Sequence, residues 1–136
     1  MIVVDEYLAV RVLRGDAPRQ LPDEDLLLPT CRHWRLLQAL HGQRGGRLTR
    51  LLAALPDADR TALRFPYPDV LEVLDPRPLL DEAATLAARF GGTGWLIAET
   101  LVAGRHSGGL WFGEERNVGR LLERAAEELS IELHVV

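Results

Sequence analysis

MIVVDEYLA, residues 1 to 9, is the stretch on which the fold turns. Its apolar run ends on Asp5, where the pattern changes from strand to helix. An unbroken apolar run reads as a strand buried on both faces, and in an open parallel sheet its carboxyl end opens into the ligand crevice. Asp5 is therefore placed either to hold a metal or to cap the helix that follows. Within EYLAVRVLRG, Leu8, Val10, Val12 and Leu13 fall among Arg11 and Arg14, which predicts a short helix stopped by Gly15.

Outward from that start the chain alternates. LPDEDLLLPT, 21 to 30, places acids near a helix start ahead of a brief apolar run at 26 to 28, and Thr30 is a candidate cap for a helix over about 31 to 42. Trp34, Leu36, Leu37 and Leu40 make its apolar face. HGQRGG breaks this helix, and RLTRLLAAL forms another, ended by Pro56. Residues 57 to 69, with three Asp and two Pro, read as a loop. VLEVL at 70 to 74 alternates like a strand, and Asp75 is positioned to cap a helix running to about 90, closed by Gly91 and Gly92. Thr93 is a candidate cap for the helix GWLIAETLVAG. GGLWFG then reads as a strand, EERNVGRLLERAAEEL as an amphipathic helix and IELHVV as a last strand. Strands separated by helices of this length predict an α/β fold, a three-layer α/β/α sandwich with a mainly parallel central sheet and right-handed crossovers. Its site should lie at the strands' carboxyl ends, near Asp5, the FGEE corner at 112 to 115, and residues 93 to 95.

Length and composition bound the reading. A chain of 136 residues fits a single domain, 1 to 136. The composition, 47% hydrophobic, is that of a soluble globular protein. No apolar run approaches the roughly 20 residues that span a bilayer, and the start lacks a basic leader, so the cytoplasm is expected and no membrane. The lone Cys31 excludes an internal disulfide and reads as a small hydrophobe on a helix. The four His lack paired spacing, the three Trp read as core or partner-facing, and nucleophile-elbow and P-loop patterns are absent. Net charge is −4, but residues 29 to 64 carry Arg32, Arg35, Arg44, Arg47, Arg50, Arg60 and Arg64 against Asp57 and Asp59, a local +5. Every basic residue is Arg, a side chain suited to bidentate contact with phosphate or carboxylate.

Three of these stretches, in order, resemble the PIN domain family. MIVVDEYLA is similar to its hydrophobic first strand ending in Asp, TGWLIAETLVAG to its DALIAATAL helix, and LWFGEERNVGRLLERA to its LVTRD strand and following helix. With IELHVV last, the likeness covers essentially the whole chain and is most like the bacterial toxins of VapC type. The resemblance implies a metal-dependent ribonuclease, held by a partner antitoxin and commonly a homodimer. It also implies four carboxylates around Mg²⁺ or Mn²⁺, which activate water and clamp the phosphodiester.

Carried over residue by residue, Asp5 takes the first acidic position and Glu114 the last, as the catalytic and metal-binding pair. Arg35 stands where the second helix of the family has Glu, and Gly94 where its third acid would be. Glu99 lies about 7.5 Å along and about 140° around a helix from Gly94, so it does not reach the same ligand point. Glu6 and Glu115 adjoin Asp5 and Glu114 but point elsewhere. Arg35, if turned inward, opposes a divalent ion and pairs instead with Asp5 or Glu114. Two functions follow. One is a toxin-type endoribonuclease with an altered site, weak or inactive, in which the Arg-rich segment, with Arg32, Arg35 and Arg50, receives RNA phosphates. The other is a non-catalytic PIN-like module that binds RNA or a partner protein.

Overall fold

A computed structural model describes residues 1–42 and 45–136. Gln43 and Arg44, within the HGQRGG break and the Arg-rich segment, lie outside the described residues. Five strands form one all-parallel sheet: β1 (Ile2–Val4), β2 (Leu26–Leu28), β3 (Leu71–Val73), β4 (Leu110–Phe112) and β5 (Leu133–Val135), in the order β3-β2-β1-β4-β5. Between them run the helices α1 (Glu6–Leu13), α2 (Thr30–Leu40), α3 (Arg47–Ala53), α4 (Asp57–Ala62), α5 (Leu80–Arg89), α6 (Trp95–Arg105) and α7 (Arg120–Glu128).

Strand alternation sorts the core into two halves, as a three-layer sandwich requires. Ile2, Val4, Leu26 and Leu28 point to the face covered by α1, α2 and α3, where they meet Leu8, Leu36, Leu52 and Leu63. Val3, Leu27, Leu110 and Phe112 point to the opposite face, against Leu86 of α5, Leu101 and Val102 of α6, and Leu122 of α7. Each Leu so buried contributes roughly 1.5–3 kcal/mol of transfer free energy.

The sheet grows from β1 in both directions. β1, β2 and β3 step one way, with their connecting helices on the first face; the chain then recrosses on the second face to lay β4 on the other side of β1. The order therefore reverses between β1 and β4, and in such sheets the crevice at that reversal, outside the carboxyl ends, is where ligands bind.

Several local expectations are corrected. The apolar run at 26 to 28 is itself a strand, β2. Residues 57 to 69 are not all loop: α4 forms because Asp57 and Asp59 in its first turn and Arg60 in its last complement the helix dipole. Arg60 also donates to the carbonyls of Leu40 and Leu52, tying together the ends of α2 and α3. Asp75 does not cap a single long helix. It holds the Arg77 guanidinium and accepts from the Arg77 amide, and a 3₁₀ turn, Arg77–Leu79, precedes α5. Thr93 gives no cap to α6, whose N-cap is Gly94, and Thr30 is the first residue of α2, donating instead to Leu74 O at 2.6 Å. The last amphipathic stretch is divided by Gly119, whose φ of 77° interrupts helical geometry, into a 3₁₀ turn (Glu115–Asn117) and α7.

Candidate functional site

The crevice between β1 and β4 is lined by charge, most of it neutralised internally. Asp5 follows β1 in extended conformation and caps α1: its Oδ1 accepts from Leu8 N at 2.8 Å and from Gly113 N at 3.2 Å. It thus joins the ends of β1 and β4 across the reversal. Both reasons for an acid at this position are visible together, because Asp5 is a cap and also lies in the crevice. Oδ2 is buried and has no hydrogen-bond partner among the described residues. Burial, followed by the charge of Glu6, pushes the Asp5 carboxyl up to about 7, against the opposing pull of Leu8 N–H and Arg32.

Glu6, the first residue of α1, turns inward and is 1% exposed. Its Oε2 meets Arg32 Nη1 at 2.8 Å and its Oε1 meets Arg35 Nη1 at 3.0 Å. Arg32, 2% exposed, also donates from Nε to Thr100 Oγ1 at 2.9 Å, and its guanidinium lies 4.9 Å from the Phe112 ring centroid. Thr100 donates its own hydroxyl proton to Leu96 O. Beside it Glu99, fully buried, accepts from Cys31 N at 2.7 Å and so serves the N-terminus of α2; burial raises its carboxyl pKa. Helices α2 and α6, from opposite layers, are thereby joined over the strand ends.

Glu114, past β4, is shared by Arg47 and Arg116, the latter at 2.7 Å, and the Arg116 hydrogen bond leads in holding its carboxyl below the usual range. Arg47 also stacks 4.7 Å from the Tyr7 ring centroid and donates to Asn117 Oδ1 at 3.3 Å. Outside this cluster lies a groove of about 600 Å³ between α2 and α3, lined by Tyr7, Trp34, Arg35, Arg47, Leu48 and Leu96.

Of the residues expected from sequence, Asp5 lies inside and Glu114 in the arginine-held rim. Arg35 pairs with Glu6, not with Asp5 or Glu114. Arg32 is interior, and Arg50 is on the exposed side of α3. Glu6 and Glu99, passed over in sequence, are the most deeply engaged acids. A signal for them existed: Glu6 is the lone charge of the helical run EYLAV and Glu99 that of LIAETLVA, and a helix apolar all round is buried. The donor set does not fit a hard divalent cation, which takes oxygens free of competing positive charge. Both oxygens of Glu6 face guanidinium groups, Glu114 is shared by two, and Asp5 and Glu99 each offer only one unpartnered oxygen.

These features define a class: a doubly covered parallel α/β sheet with a backbone-held acid, Asp5, at its reversal point and two neighbouring acids, Glu6 and Glu114, held by arginines. No family model matches the chain, and no curated protein or solved structure matches it either.

Proposed function

We propose that the chain is a PIN-like domain that binds single-stranded RNA without cutting it, the non-catalytic alternative to a toxin-type endoribonuclease. The observation that carries this reading is the pairing of Glu6 with Arg32 and Arg35 and of Glu114 with Arg47 and Arg116, while Arg35 and Arg47 also face a groove beside Tyr7 and Trp34. Arginine on phosphate and an aromatic face under a base are what sequence-tolerant single-strand recognition uses. Trp34 is 56% exposed and so available for stacking. Arg50, exposed on α3, adds a further positive charge to the helix that walls the groove.

Fluorescence anisotropy with a labelled oligouridylate tests the reading. Binding should weaken as salt rises, persist in Asp5→Ala, and leave the RNA intact whether or not Mn²⁺ is added. The open Oδ2 of Asp5 favours the nuclease reading instead. Mn²⁺-dependent cutting that disappears in Asp5→Ala would establish that reading, with the antitoxin partner it implies. Self-association belongs to the same proposal, since Trp34 and Leu51 expose apolar surface on α2 and α3. Light scattering at the mass of one chain would remove it.

A further inference from the structure

Three acids are buried at the carboxyl ends of the sheet, each at most 1% exposed: Asp5 after β1, Glu6 in α1 and Glu99 in α6. A carboxylate in such surroundings either takes a proton or needs a cation, because desolvated charge is costly. Arg32 is the cation in their midst. It binds Glu6 directly; burial raises the carboxyls of Asp5 and Glu99, and the charge of Arg32 only opposes that rise. Three further features fix its guanidinium: the Nε bond to Thr100, the Phe112 ring, and burial to 2% exposure. Arg35 reaches only the other oxygen of Glu6, from the groove, with 42% of its side chain exposed.

We propose that Arg32 is the resident cation of this site: a guanidinium, not a divalent metal, balances the buried Glu6 carboxylate, and its presence closes the crevice to metal. This stands whether or not the groove binds RNA. A buried ion pair that only supports packing would leave a defect on loss of Arg32 that no small solute repairs specifically. A resident cation leaves a cation-shaped vacancy lined by acids.

The test uses the full chain carrying Arg32→Ala, melted by circular dichroism with methylguanidinium, with urea at the same concentration as the neutral control of similar shape, and with NaCl matching the ionic strength. The proposal expects a lowered melting temperature that methylguanidinium raises saturably while urea and NaCl do not. If the variant is unfolded alone, methylguanidinium should fold it. Failure to raise the melting temperature, or to fold the chain, overturns the proposal. Calorimetry with Mn²⁺ supplies a second arm on the wild-type protein and on the variant, in the absence of methylguanidinium and at a temperature below the variant's own melting. No saturable binding to wild type, with binding appearing in Arg32→Ala, is expected. Mn²⁺ binding to wild type overturns the assignment, and so does Mn²⁺ binding to neither.

Discussion

Asp5 shows how one side chain carries two assignments that sequence left open. As a cap its Oδ1 is fully used, by Leu8 N and Gly113 N, while Oδ2 is sealed in without a partner among the described residues. The folded state therefore favours the protonated acid, with the carboxyl at about 7 against an ordinary 3.8. A raised pKa means that the native chain binds more protons than the unfolded chain between those values, so stability falls as pH rises through the window. Urea denaturation should show wild type losing stability from pH 5 to pH 8, and Asp5→Asn losing much less, since the amide keeps the Oδ1 acceptor without a charge. A wild-type profile as flat as that of Asp5→Asn would refute the assignment. Cys31, whose thiol pKa is raised chiefly by burial, should accordingly be alkylated by iodoacetamide more slowly at pH 8 than an unfolded control, because the thiolate is the nucleophile.

At the scale of elements, α6 rests against β4 through Gly104. A Cβ there would lie 2.5 Å from Leu110 Cδ2 and 3.1 Å from Ile131 Cγ2. Gly104→Ala gains about 1 kcal/mol of intrinsic helix propensity. Overpacking the seam typically costs about 1–3 kcal/mol, so net destabilisation is expected by urea melting, the reverse of the usual outcome for this exchange in an exposed helix. The same contrast explains what was legible beforehand. β1, β4, β5 and the bodies of α1, α2, α3 and α6 follow from local patterning, because strand alternation and apolar helical stripes are properties of neighbours in sequence. β2, whose LLL carries no alternation, is a strand because Ile2 and Val3 on one side and Leu71 to Val73 on the other pair with it. α4 escapes such patterning for a related reason: it buries no residue of its own and is held by Arg60 reaching the carbonyls of two other helices.

For the whole molecule, the uneven charge along the chain does not translate directly into an uneven surface. The segment 29 to 64 carries +5, but Arg32 is engaged by Glu6 inside the fold and the partly buried Arg60 by helix-end carbonyls, leaving Arg35, Arg47, Arg50 and Arg64 as the other described arginines of the segment, all at least partly exposed. Patterning reveals the sign of the segment but not this division, which depends on Glu6, far from Arg32 in sequence, and on the carbonyls of two other helices for Arg60. The division makes a prediction about RNA. Removing one arginine that pairs with a phosphate should reduce the steepness of log K against log salt by about 0.7 for a single strand. Arg50→Ala, removing an exposed charge beside the groove, should lower the slope by about that amount and leave the melting temperature unchanged. Arg60→Ala should do the opposite, lowering the melting temperature with no change in slope, because its guanidinium is held by the Leu52 and Leu40 carbonyls. Equal slopes for Arg50→Ala and wild type would remove α3 from the RNA surface, and a lowered slope for Arg60→Ala would mean that the inward arginines are not withheld from it.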